Sequence, residues 1–180
     1  ITLANGEKRT IESLTTDDVV MGASEYNPDL VFPLSIEDIS IGFETIPMVE
    51  VTTQSGRTLL LTESHPVITT SDQPVWAKHL NQGDRIQTLE DNGDVGSDMI
   101  TKIKMVDYDK QVYNLKLGRT ADDGQISDRD ESFVMIANNM MVGDLGMQSE
   151  NEFKSVNEST EDVLNRIPSQ WHQDYLNSQN

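Results

Sequence analysis

The chain has 180 residues, and its 36% hydrophobic and 24% charged content suffices for a packed core and excludes a disordered composition. Its 31 acidic and 13 basic residues give a net charge of -18, so nucleic acids and anionic membranes are not expected as partners. The absence of cysteine excludes a disulfide, a thiolate metal site and a thiol nucleophile within the chain.

The first residues, ITLANGEKRTI, favour a strand with a tight turn at Asn5-Gly6. A chain that opens in mid-strand is expected to be part of a longer one, with residues needed for function upstream of Ile1.

Most of the sequence up to residue 145 reads as short β-strands separated by turn residues. Hairpins are predicted in MVEVTTQSGRTLLLT, in RIQTLEDNGDVGSDMITKIKMV and in SFVMIANNMMVGD, with turns at 54–56, 92–93 and 138–139. KQVYNLKLG is a further strand, and TIESL and VWAKHL are single helical turns. This spacing predicts an all-β, highly curved fold, because α/β units would need long amphipathic helices between the strands.

Two segments resemble each other. TIESLTTDDVV and WAKHLNQGDRI each run from a helical turn through a leucine and an aspartate into a strand. The aspartates, Asp18 and Asp84, can cap the bend before the next strand. The similarity indicates either chance or two related β subdomains.

The composition changes at Gly146. We predict a β domain over residues 1–145 and a polar tail over 146–180, with a short helix around STEDVLNRI that ends before Pro168.

No metal or cofactor is expected. The acidic segments EDNGDVGSD and ADDGQISDRDES do not meet the EF-hand spacing, so solvated loops explain them better than calcium ligands. The three histidines, His65, His79 and His172, lack zinc-ligand spacing, and no nucleophile elbow or phosphate-binding glycine loop occurs.

Thr62 and His65 are the residues that could carry chemistry. They end the apolar strand LLLT three residues apart, and Pro66 fixes the following backbone. A hydroxyl and an imidazole that converge can polarise a peptide and protonate its nitrogen. A capped bend with a structural histidine explains the same spacing.

The segment GRTLLLTESHPVITT resembles the T-x-x-H block of Hint domains, the module shared by inteins, hedgehog autoprocessing domains and bacterial intein-like proteins. TLANGEKRTIESLTTDDVV, QVYNLKL and SFVMIANNMMVGD resemble three further blocks of that family, in the same order. The resemblance implies a pseudo-two-fold horseshoe of curved β-hairpins. It also accounts for the internal repeat.

The resemblance implies roles for four residues. Thr62 would orient or strain the scissile peptide, His65 would protonate its nitrogen, and Asn114 stands where many members have an aspartate that helps to activate the nucleophile. Asn114 is equally a strand residue with a local hydrogen bond. Gly143-Asp144 replaces the closing His-Asn of splicing inteins. Asp144 has no amide nitrogen for cyclisation, so full splicing is disfavoured.

The expected function is therefore autoprocessing of the peptide bond upstream, by an N-to-S/O acyl shift and without full splicing. The nucleophile would precede Ile1, so this chain alone should be inert, a monomer whose partner is its own flanking polypeptide. The alternatives are a degenerate Hint fold that serves as a binding or spacer module, and an acidic β-domain that binds calcium.

Overall fold

The computed structural model describes residues 1–71, 73–120 and 131–149, and it confirms the all-β prediction. Within these residues, eleven strands form one sheet. They are β1 (Val19–Ser24), β2 (Asn27–Phe43), β3 (Met48–Thr53), β4 (Thr58–Leu61), β5 (Pro66–Val67), β6 (Val75–Trp76), β7 (Arg85–Leu89), β8 (Val95–Val106), β9 (Gln111–Arg119), β10 (Phe133–Ala137) and β11 (Met140–Gly143).

About the hairpin of β10 and β11, β7, β8 and β3 on one side correspond to β1, β2 and β9 on the other, and β4 is an additional strand beyond β3. The strand order is β4-β3-β8-β7-β11-β10-β1-β2-β9, and every pair of neighbouring strands in it is antiparallel. The two long strands, β2 and β8, hold corresponding places, and each pairs with two neighbours over different parts of its length. The predicted pseudo-two-fold arrangement is therefore confirmed. The short strands β5 and β6 pair off this path, where β5 joins β11.

The three predicted hairpins are present, and their turns have the backbone geometry that the turn residues favour. Gly93 takes a φ of 86° between β7 and β8. Asn138 and Asn139 take φ values of 48° and 63° between β10 and β11, a left-handed conformation that asparagine tolerates better than most residues.

The two repeated segments adopt the same local structure. A 3-10 turn, Ile11–Ser13 in one segment and Ala77–His79 in the other, precedes a leucine that is buried in each case. The carboxylate of Asp18 accepts a hydrogen bond from the Thr15 N–H at 2.9 Å. The carboxylate of Asp84 accepts one from the Asn81 N–H at 2.7 Å. The repeat is thus structural, with both aspartates acting as caps.

The first residues form the predicted turn but make isolated bridges where a continuous strand was expected. Thr2 bridges Lys8, Leu3 bridges Val20, and Gly6 takes a φ of 85°. The Leu3 N–H donates to the Glu7 carbonyl at 2.8 Å, which closes the turn. The Thr2 N–H donates to the Ile136 carbonyl of β10 at 3.1 Å, so the opening segment is fixed to the domain.

The compact unit of the described residues spans Ile1–Gln148. After β11 the chain becomes helical over residues 145–149, and the helix predicted around STEDVLNRI lies outside the described residues. The predicted boundary at residue 145 stays a prediction. Within the described part of the chain, no helix is long and apolar enough to cross a membrane.

We predict that Asp84→Ala lowers the free energy of unfolding by about 1 kcal/mol, because it removes the acceptor for the Asn81 N–H. Asp84→Asn keeps an acceptor oxygen and should lose less. Urea unfolding measures both variants against Asp29→Ala, which removes an exposed carboxylate. Equal stability of Asp84→Ala and Asp29→Ala would contradict the capping role.

Candidate functional site

Thr62 and His65 lie in the tight turn that joins β4 to β5. The His65 N–H donates to the Thr62 carbonyl at 3.1 Å, which closes the turn. Pro66 then begins β5, and Val67 pairs with Val142 of β11. The proline and this pairing fix the direction of the chain beyond His65.

The His65 imidazole is buried, with 5% of the residue exposed. It makes a hydrogen bond to the backbone of Gly143, while Nε2 has no partner among the described residues. The bond therefore belongs to Nδ1, which donates its proton to the Gly143 carbonyl. Burial lowers the His65 pKa from 6.5 to about 4, so the ring is neutral at pH 7 and Nε2 carries a lone pair.

Thr62 presents a second polar atom of the same kind. Its Oγ1 is buried and finds no hydrogen-bond partner within the described parts of the chain. Thr62 and His65 both line one cavity of about 300 Å³. A buried hydroxyl and a buried imidazole nitrogen without partners are costly unless a ligand satisfies them, so this cavity is the candidate site.

The cavity lies between the two ends of the sheet. Leu60 of β4 and Tyr113 of β9, the terminal strands of the sheet order, line it together with Val142 of β11. Ile1 lines it too, so the amino end of the chain lies at the same cavity as Thr62. The walls are mostly apolar, and a polypeptide segment entering the cavity would find few competing polar groups.

Asn114 does not line this cavity. It is a buried residue of β9, and its Oδ1 accepts a hydrogen bond from the Leu115 N–H at 2.8 Å. Its Nδ2 donates to Oε1 of Gln148 at 2.8 Å. The local hydrogen bond expected of a strand asparagine is present, and the link to the turn with His65 runs through Gln148.

Asp144 lies just beyond β11 and is 1% exposed. Its carboxylate accepts hydrogen bonds from three backbone N–H groups, those of Leu117 at 3.1 Å, Phe133 at 3.2 Å and Met147 at 2.9 Å. It thereby joins β9 to β10 and caps the helical residues 145–149. Burial raises its pKa to about 6 and outweighs these hydrogen bonds.

Gly143 is closely packed on the side where a side chain would stand. A Cβ there would lie 2.6 Å from Met147 Sδ, 3.1 Å from Met147 Cβ and 3.0 Å from Pro66 Cβ. The space for a larger residue before Asp144 is therefore filled. The sequence shows a glycine at position 143, but it does not show that Met147 and Pro66 pack against it.

Sequence reasoning missed Gln148, whose Nε2 donates to Oγ of Ser64 at 3.0 Å. No sequence motif marks Gln148, because its partners Ser64 and Asn114 are distant in sequence and come close only in the folded protein.

The acidic residues do not assemble an ion site in the described ranges. No group of three or more histidine, aspartate or glutamate side chains there is placed to hold a metal. The acidic segment over residues 121–130 lies outside those ranges.

Comparisons with known proteins find this architecture in solved intein structures. No family model matches the chain, and no curated protein matches it. Among solved structures, the DnaB intein from Synechocystis sp. PCC 6803 is similar, with a TM-score of 0.64 and 18% identity over 80% of this chain and 92% of that one. The bacterial intein-like domain from Clostridium thermocellum has a TM-score of 0.58 and 22% identity over 80% and 93%. The gp41-1 intein has a TM-score of 0.56 and 14% identity, over 79% of this chain and 91% of that one.

The chain has the Hint/intein fold. The resemblance of the four sequence blocks is thus matched by the three-dimensional structure. In this Hint/intein fold the T-x-x-H block is the turn of Thr62 and His65, and the closing block is the hairpin of β10 and β11.

We predict that His65 and Asp144 change the stability of the protein with pH in opposite directions. The unfolded chain protonates His65 near pH 6.5 and the folded protein only near pH 4, so stability is lost as pH falls across that interval. The folded protein holds the Asp144 proton up to about pH 6 and the unfolded chain only to about 3.8, so stability is lost as pH rises between them. Each effect is about 3 kcal/mol, and the two nearly cancel.

Asp144→Asn separates the two contributions. The stability of the wild type relative to this variant should fall by about 2 kcal/mol between pH 4 and pH 7, as measured by urea unfolding. If the wild type instead becomes more stable relative to the variant as pH rises, the prediction is wrong. The three N–H hydrogen bonds would then outweigh burial and stabilise the Asp144 carboxylate in its charged form.

Proposed function

We propose that this protein is a Hint-type autoprocessing domain that cleaves or rearranges the peptide bond of a polypeptide joined upstream of Ile1, without full splicing. Its partner is its own flanking segment. The observation that carries the proposal is that Thr62 Oγ1 and His65 Nε2 are buried without partners in the described residues, on two side chains that line one cavity together with Ile1.

An upstream segment is compatible with the backbone at Ile1. The Ile1 nitrogen donates to the Arg9 carbonyl, a bond that a peptide N–H can also make. The preceding peptide would then continue beside the cavity. A scissile carbonyl or amide there would satisfy the Thr62 hydroxyl and the His65 nitrogen, which supports the proposed use of both residues.

The protonation state of His65 refines the role that the resemblance implies. Neutral Nε2 has no proton to give, so it must first accept one. In the proposed step a thiol or hydroxyl upstream attacks the preceding carbonyl and its proton passes to Nε2. The C–N bond then breaks, and Nε2 returns the proton to the departing nitrogen. A thioester or ester and a free amine result, with no net change in atoms.

Two features support processing without release of the C-terminal flank. Asp144 has a carboxylate where cyclisation requires an amide nitrogen, and its three N–H hydrogen bonds hold that carboxylate in place. Met147 fills the space beside Gly143 that a histidine side chain would need. The chain continues from Asp144 into helical residues.

The first test restores the upstream part. The chain is fused to a carrier protein through a short segment that includes a cysteine in the Hint position, and hydroxylamine or a thiol is added. We predict release of the carrier, seen by mass spectrometry. His65→Ala should slow release by about 100-fold or more, and Thr62→Val by about 10-fold or more, because each removes a group that acts on the peptide.

His79→Ala is the matched control, since His79 is exposed and outside the cavity, and it should cleave at the wild-type rate. No release from the wild-type fusion, or equal release from His65→Ala, would refute autoprocessing. The fold would then serve as a binding or spacer module.

We also predict that Gly143→His combined with Asp144→Asn does not release the C-terminal flank. The new histidine collides with Met147 and Pro66, and the new asparagine amide faces the Leu117 N–H. The double variant should also unfold at lower temperature, by calorimetry. Efficient release of residues beyond 144 would show that the site retains splicing geometry.

A further inference from the structure

Gln148 connects two parts of the site that the strands leave apart. Its Oε1 accepts a hydrogen bond from Asn114 Nδ2 at 2.8 Å, and its Nε2 donates to Ser64 Oγ at 3.0 Å. Asn114 belongs to β9 at one end of the sheet, and Ser64 lies in the turn between Thr62 and His65. One side chain therefore joins the turn to the terminal strand.

The direction of these hydrogen bonds is fixed by a backbone group. The Leu115 N–H donates to Asn114 Oδ1 at 2.8 Å, so the amide nitrogen of Asn114 must face Gln148. Gln148 then presents its oxygen to Asn114 and its nitrogen to Ser64. Each of the two side-chain amides uses both its oxygen and its nitrogen. Turning either amide over would place oxygen against oxygen or nitrogen against nitrogen between Asn114 and Gln148.

The backbone of Gln148 is held independently of its side chain. Its N–H donates to the Asp144 carbonyl at 3.1 Å, and the Asp144 carboxylate caps the preceding Met147 N–H. Met147 is buried, 1% exposed, against Gly143. Gln148 thus projects from a fixed position, so its two side-chain contacts require no further ordering of the backbone.

The turn with Thr62 and His65 is held on its other side by the second 3-10 turn. The Ala77 N–H donates to the His65 carbonyl at 2.9 Å, and the Lys78 N–H donates to the Glu63 carbonyl at 3.1 Å. Those bonds fix the backbone of the turn at residues 63 and 65. Ser64, between them, is bound by Gln148.

We propose that Gln148 is a positioning residue, which holds the turn of Thr62 and His65 against β9 so that the threonine hydroxyl and the imidazole face the cavity. Asn114 and Asp144, which the resemblance marks as site residues, act through it, one by orienting its side chain and the other by holding its backbone. The effect on cleavage rests on the proposed function. The positioning itself does not and can be measured in the chain as it stands.

The test uses amide hydrogen exchange of the full chain. Gln148→Met keeps the length of the side chain and removes both hydrogen bonds, so the His65 amide should exchange at least about tenfold faster. Ser64→Ala, which removes the acceptor at the other end, should do the same. Amides of β10 and β11 should keep their wild-type rates, because the loss is local.

Gln148→Glu is the conservative variant. Its carboxylate accepts from Asn114 Nδ2 and from the Ser64 hydroxyl, so it should restore near wild-type exchange at His65. Gln54→Met makes the same chemical change as Gln148→Met at an exposed turn and should change nothing at His65. Unchanged His65 exchange in both Gln148→Met and Ser64→Ala would overturn the proposal. So would a uniform rise through β10 and β11, which would mean general destabilisation.

In the fusion with the upstream segment, Gln148→Met should slow carrier release by about tenfold or more, and Gln148→Glu should restore it. If the wild-type fusion does not cleave while the exchange results are as predicted, the proposed function fails and the positioning role stands. If the fusion cleaves and Gln148→Met cleaves equally fast, the positioning role fails and the function stands.

Discussion

The hydrogen bond from His65 Nδ1 to the Gly143 carbonyl joins the turn after β4 to the last strand of the domain. It fixes the tautomer of the ring and leaves the Nε2 lone pair without a hydrogen-bond partner among the described residues. The bond forms where β5 pairs with β11, and it needs the chain at residue 143 to lie close to Pro66. The geometry of the site thus follows from one backbone contact between the middle of the sequence and its closing hairpin.

The same contact explains how the two halves of the sheet produce one site. The strand order puts β4 and β9 at opposite ends, and both line the cavity with β11. The site is therefore built from residues far apart in sequence. The Asp144 carboxylate makes a second connection between distant elements, because it accepts hydrogen bonds from β9, from β10 and from the helical residues that follow.

Much of this could be predicted from sequence because the signals are local. Turn residues such as Gly93 and Asn139 mark the hairpins, and the aspartates of the two repeated segments mark their caps. Thr62 and His65 were identified from their spacing and from the resemblance of four ordered blocks. These features depend on backbone preferences within a few residues.

The rest depends on contacts that no local pattern encodes. The neutral state of His65 follows from burial by distant strands, and the raised pKa of Asp144 has the same cause. Gln148 has no motif, and the residues that crowd Gly143 come from both sides of it in sequence. The resemblance marks Asn114 as a site residue, but its indirect link to the turn through Gln148 depends on the closed sheet.

The central claim is that His65 lines the cavity as a neutral imidazole, with its proton on Nδ1 and a lone pair on Nε2. Long-range ¹H–¹⁵N NMR of the His65 ring tests it most directly, in a titration from pH 8 to pH 3.5. The account predicts a proton on Nδ1, none on Nε2 at pH 7, and protonation only near pH 4. A proton on Nε2 at neutral pH, or titration near the ordinary value of 6.5, would contradict it.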